Sequence, residues 1–185
     1  MSNTLHEFDT VINTCKDVFI KKMHDYGVAW RILRLPSITD QIYIKAQRIR
    51  SIEEKGVHKI DEGIYSEFIG IVNYAVMAQI QLALSPADIE NSNMPHEEVI
   101  TLYDTYTENA KNLLSNKNHD YDEAWRNMRI SSMTDIILMK ILRIKQIENL
   151  NQQTLVSEGI DANYYDILNY AVFALIKLNL KNNYI

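Results

Sequence analysis

Residues 22–31 read KMHDYGVAWR and residues 117–126 read KNHDYDEAWR, so the string Lys-x-His-Asp-Tyr-x-x-Ala-Trp-Arg occurs twice in a chain of 185 residues. Sliding the chain against itself by 95 positions extends the match: from Lys22 to Glu53, 17 of the 32 aligned residues are identical. One extra residue in the second half then moves the offset to 96. Beyond it Glu62, Gly63, Ile64, Asn73, Tyr74 and Ala75 meet Glu158, Gly159, Ile160, Asn169, Tyr170 and Ala171. The chain is therefore an internal duplication, with a first copy over 1–84, a linker over 85–94 that includes Ser85 and Pro86, and a second copy over 95–185.

Short repeats need about three units to close a core, but units of this length each carry several helices. The spacing predicts three per copy. The first runs from Thr4 to Met23, where Leu5, Phe8, Val11, Ile12, Cys15 and Phe19 recur at intervals of three and four; its counterpart begins near Pro95. The second begins at Ser37, where Ser-Ile-Thr-Asp resembles a capping box that Ser132 to Asp135 repeats. The third, Ser66 to Leu84 and Asn163 to Leu180, is apolar on most of its circumference and so belongs at the centre. No window has a period of two. The expected fold is all-α, a helical bundle of two tandem three-helix copies that pack as one unit with pseudo-two-fold symmetry, imitating a homodimer within one chain.

Composition narrows the function. A net charge of −5 offers no broad basic face for duplex nucleic acid, although a pocket for one nucleotide remains open. The single Cys15 makes no internal disulfide, no zinc-type Cys/His spacing occurs, and neither a signal-like N-terminus nor a run of eighteen apolar residues is present. The expected location is the cytoplasm, away from membranes.

Several polar residues fall where apolar ones are expected. On a helical wheel centred on Ile42, Lys45 lies inside the apolar arc and Arg48 at its edge; Lys140 and Arg143 repeat both positions. Either these cations pair with carboxylates of neighbouring helices, or they line a cleft for an anionic ligand such as a phosphate. Asn73 and Asn169 sit in the runs IVNYAVMA and ILNYAVFA, fit for an interhelical hydrogen bond or for contact with a base edge. Among the acids, Asp166 lies in an otherwise apolar segment and is the leading candidate for a metal-ligating carboxylate, alongside Glu158, Glu62 and Glu67. Glu67 aligns with Asn163 and Asp166 with Gly70, so the two acids stand about one turn apart on the common frame. The His24-Asp25-Tyr26 and His119-Asp120-Tyr121 strings read either as a site or as a helix-ending turn that docks Trp30 and Trp125; Tyr26 and Tyr121, or the tryptophans of the same segments, offer rings on which a base stacks.

Lys22 to Gly27 (K-x-H-D-Y-G), Lys45 with Arg48 (K-x-x-R), and Glu62 to Ala75 with Glu158 to Ala171 (E-x10-N-Y-A) together resemble the nucleotide modification associated domain type 1 family, once per copy. In that family an acidic residue tends to precede the K-x-x-R lysine, and an Asp stands three residues before the Asn of N-Y-A. Here Ile44 and Met139 replace the first, while the second is kept as Asp166 and lost as Gly70. The third helix is also similar to the MazG-like all-α NTP pyrophosphatases, whose E-x-x-E string neither copy carries. The resemblance implies a nucleotide-binding protein, extending to a Mg²⁺-dependent (d)NTP pyrophosphohydrolase in which the carboxylates hold the metal and Lys45, Arg48, Lys140 and Arg143 neutralise phosphate. A non-catalytic helical scaffold is the competing class, and homodimer assembly is compatible with both.

Overall fold

The computed structural model describes residues 3–55, 61–121, 123–150 and 159–182, with side chains at all of these except 61, 62, 118–121 and 182. Six α-helices follow one another: α1 (Thr4–Tyr26), α2 (Leu35–Lys55), α3 (Asp61–Leu84), α4 (His96–Tyr121), α5 (Ile130–Asn149) and α6 (Ile160–Asn182). Short 3-10 turns over Ala29–Ile32 and Ala124–Asn127 follow α1 and α4, and a third, Ile89–Asn91, lies between the copies. No strand occurs among the described residues, so the all-α expectation holds.

The His-Asp-Tyr string ends α1 because Gly27 comes next. Its φ of 62° is one that a side chain resists, and its N–H closes on Met23 O at 2.8 Å. The second helices begin earlier than their serines suggest: Ser37 and Ser132 lie inside the first turns of α2 and α5, their N–H groups bonded to Arg34 O at 3.0 Å and Arg129 O at 3.1 Å. Pro36 fits that turn because its missing N–H has no helical acceptor. Asp40 and Asp135 are therefore not caps. They reach across the copies, Asp40 to Lys145 at 2.6 Å and Asp135 to Arg50 at 3.8 Å.

The copies meet as a symmetric dimer would, α3 on α6, α2 on α5 and α1 on α4. Polar contacts across the interface come in mirrored pairs offset by 95. Lys16 bonds Asp104 and Lys111 bonds Asp9, at 2.6 and 2.7 Å; Thr39 donates to Glu148 and Thr134 to Glu53, at 3.3 and 3.1 Å. Exposed ion pairs contribute little, about 0–1 kcal/mol each, so they set register while the apolar faces of α3 and α6 carry stability. The Gly63–Leu84 stretch of α3 is long and apolar enough to cross a bilayer, but it is mostly buried inside the bundle, as a central helix requires.

Partial burial of Glu53 and Glu148 raises both carboxyl pKa values above the ordinary 4.5, against the opposing bonds from Thr134 and Thr39. The folded chain thus holds these protons more tightly than the unfolded one. Each carboxyl costs stability as pH climbs from the ordinary value through the raised one, and the cost is constant above it. Replacing both by glutamine, which keeps an acceptor for each threonine, should raise Tm at pH 7. Melting curves between pH 7 and 4 should show that advantage shrinking with acid; an advantage independent of pH would rule out burial of charge as its cause.

Candidate functional site

A cavity of about 470 Å³ opens where α4, α5 and α6 meet the Ala124–Asn127 turn. Two cations reach it from different helices. Lys117, near the end of α4, and Lys140, midway along α5, both close on Asp166 of α6, taking Oδ1 and Oδ2 at 2.7 Å each. Asp166 is 12% exposed, Lys140 23% and Lys117 55%, so the pairing runs from the protein interior out to solvent. Lys140 occupies the apolar arc of α5 because α6 presents a carboxylate there. Opposite stands an aromatic wall: Trp125 stacks on Phe173 at 4.3 Å and 5°, and Tyr170 meets Phe173 edge-on at 6.0 Å. Asn169 also lines the cavity.

The first copy carries the counterpart, about 300 Å³, lined by Lys22, Lys45, Gly70, Asn73, Tyr74 and Met77. These are the repeat equivalents of Lys117, Lys140, Asp166, Asn169, Tyr170 and Phe173. Duplication has kept two lysines, an asparagine and a tyrosine and changed the acid. Lys45 turns instead to Glu67, one turn earlier on α3, at 3.2 Å, and Arg48 takes the other oxygen at 2.7 Å. A Cβ at Gly70 would stand 2.7 Å from Lys45 Cε, so the glycine lets this lysine cross the face of α3. Glu67 and Asp166 thus serve one purpose, receiving the core-facing lysine of their copy.

The two asparagines differ in one bond. Asn73 donates to Cys15 O at 3.0 Å and accepts from Tyr103 Oη at 2.8 Å. Asn169 donates to Ala110 O, the repeat equivalent, at 3.1 Å, but its Oδ1 is buried without a partner. The residue equivalent to Tyr103 is Phe8, which has no hydroxyl. Phe8→Tyr should restore the bond and add about 1 kcal/mol, or ~2–4 °C in Tm, measured by thermal melting; a lower Tm would show that Phe8 has no room for the oxygen.

Other candidates lie elsewhere. Arg48 and Arg143 line neither cavity; Arg143 bonds Gln146 at 3.3 Å. Tyr26 is 76% exposed and, like His24 and Asp25, points to solvent and lines neither cavity. The physical reason is its place on the outer face of the last turn of α1. Trp125 is buried in the second copy as the docking expectation requires, whereas Trp30 is half-buried, 6.4 Å from Phe19. Glu158 and the side chains of Glu62, His119, Asp120 and Tyr121 lie outside the described residues. Lys22, Lys117, Tyr170 and Phe173 also line the cavities; helical spacing does not mark them, although the identity of Lys22 with Lys117 and of Tyr74 with Tyr170 across the repeat singles out three of them.

Neither Asp166 nor Glu67 is placed to hold a Mg²⁺ ion. Both oxygens of Asp166 face ammonium groups and both of Glu67 face Lys45 and Arg48, so a divalent cation would meet positive charge at either acid. No three His, Cys, Asp or Glu converge among the described residues. What the arrangement can do is present two cations beside an apolar, aromatic slot.

Comparison with known proteins gives one family. The family model described as nucleotide modification associated domain 1 matches residues 22–82 and again 117–178, once in each copy. No curated protein and no solved structure matches the chain.

Proposed function

The chain belongs to the nucleotide modification associated domain 1 family, and from that membership and the cavity of α4, α5 and α6 we propose that it binds a nucleotide. One observation carries the reading: Lys117 and Lys140 converge from separate helices at the same cavity that Trp125, Tyr170 and Phe173 line. Phosphate meets the two ammonium groups and the base lies against the aromatic wall, a division of labour common to small-ligand pockets of this size, about 300–1,000 Å³. Binding without hydrolysis is the reading the described residues favour, because their carboxylates are engaged by cations. The pyrophosphohydrolase reading rests on likeness in the third helix alone.

Titration of tryptophan fluorescence with mono-, di- and triphosphate nucleotides tests this, with Mg²⁺ present and absent. Affinity should rise with phosphate count, and Lys140→Met should weaken it by about tenfold or more, the worth of one charge-assisted contact. Lys117 still partners Asp166 in that variant, so folding should suffer little. The interaction-scaffold alternative expects no nucleotide dependence, and no binding by the parent chain at millimolar nucleotide would decide in its favour; equal affinity in Lys140→Met would instead remove Lys140 from the site. Release of pyrophosphate or phosphate in the Mg²⁺ arm would reinstate hydrolysis.

A further inference from the structure

The repeated arginine of the opening string has unlike surroundings in the two copies. Arg126 bonds Glu7 at 2.7 Å, Glu123 at 2.6 Å and Thr4 at 2.7 Å, while Lys177 holds its carbonyl oxygen. Two acids and two bases balance. Arg31 is the equivalent residue, but the repeat alignment pairs Leu102, Val28 and Val99 with Glu7, Glu123 and Thr4, and Gln81 with Lys177. Two acids and one base are gone, and a single positive charge is left.

That charge is not out in solvent. Arg31 is 6% exposed; its Nη1 is fully buried with no hydrogen-bond partner, and among the described residues no carboxylate pairs with it. Trp30 is its aromatic neighbour, 6.0 Å from ring centre to guanidinium. The backbone here is fixed, since Arg31 O accepts from Ala87 N–H and from Gln81 Nε2, both at 2.8 Å, and Gln81 Oε1 is itself buried without a partner. Burial holds the guanidinium pKa below its usual value, the direction expected where charge lacks compensation. An uncompensated buried cation is strongly disfavoured, so this corner is stable when an anion completes it.

We infer that the buried guanidinium of Arg31 is a binding site for a small oxyanion, phosphate or carboxylate in type, taken from solution where the second copy uses its own Glu7 and Glu123. Guanidinium matches either group through paired N–H donors. The site is separate from the cavity of α4, α5 and α6, and neither depends on the other.

Melting of the whole chain in inorganic phosphate and in malonate, each against chloride at matched ionic strength, provides the test. The parent chain should gain about 2–4 °C at anion concentrations well above Kd, and the more effective anion identifies the type. Arg31→Met should lose that gain. Anion captured by Lys117 and Lys140 contributes equally to both chains and cancels in the difference. Leu102→Glu, which places a carboxylate at the equivalent of Glu7, is the second arm and should also abolish the gain, supplying the anion from within. Loss of the response in Arg31→Met sustains the inference, as does loss in Leu102→Glu should Arg31→Met fail to fold; a full response kept by the informative variant overturns it.

Discussion

Arg126→Met is expected to lower the melting temperature by about 6–12 °C, the equivalent of roughly 3 kcal/mol in a chain of this size. The arginine is the cation of a cluster that joins the start of α1 to the turn after α4, binding Glu7 and Glu123 and lying 4.5 Å over the Trp125 ring. Glu7 is 5% exposed and, among the described residues, retains without Arg126 only the Asn3 amide at 3.2 Å. The loss therefore comes mainly from a carboxylate stranded out of water rather than from the energy of the pair. Because Arg126 is itself partly exposed, the lower end of the range for buried pairs applies. Adding Glu7→Gln to Arg126→Met should recover part of the loss, since no buried charge is then left behind, and the double-mutant cycle measures that coupling. A single variant within 2 °C of the parent would mean that water reaches Glu7.

Most of this fold is readable in the sequence because it is written twice. The 95-residue offset pairs Lys16 with Lys111 and Asp9 with Asp104, and those four residues make the mirrored bridges between α1 and α4. Apolar spacing gives the six helices and their burial. Helix starts are less legible: the serines and aspartates at 37–40 and 132–135 have the composition of a cap, but the same residues suit a contact across the pseudo-two-fold, and local pattern cannot distinguish the two. The site was legible in part. The wheel places Lys45 and Lys140 among apolar residues, which marks them as paired or functional. It gives no hint that Asp166 accepts two lysines, because Lys117 arrives from a helix about fifty residues away in sequence. Nor does periodicity show that Arg31 and Arg126, which end the same Ala-Trp-Arg string, differ in their partners, the second held by two acids and the first paired with no carboxylate among the described residues. Those acids come from the opposite copy and from the turn itself, so they emerge only once the offset is applied to residues 4, 7, 28, 99, 102 and 123 together.

Asp166→Asn separates a phosphate cradle from a metal site by the sign of its effect. In the apo chain it should cost about 2 kcal/mol, or ~4–8 °C in Tm, because Lys140 is three-quarters buried and loses its carboxylate, while the more exposed Lys117 is compensated by water. Toward a nucleotide the effect reverses. Phosphate and Asp166 are rivals for the same two ammonium groups, so neutralising the acid removes the competitor, and affinity should rise by about tenfold for the 1.4 kcal/mol that one such interaction represents. A variant that is weaker when empty and tighter when bound should also show a larger thermal shift on nucleotide addition than the parent chain, with no requirement for Mg²⁺. A carboxylate that held Mg²⁺ against phosphate would behave in the opposite way: its loss would weaken binding and remove metal dependence. Isothermal titration with a nucleoside triphosphate, run with Mg²⁺ and with a chelator, therefore distinguishes the two roles. Weaker, metal-sensitive binding in Asp166→Asn would overturn the cradle, and tighter, metal-indifferent binding would assign Asp166 as the counter-ion that keeps two converging lysines soluble inside the bundle until a phosphate replaces it.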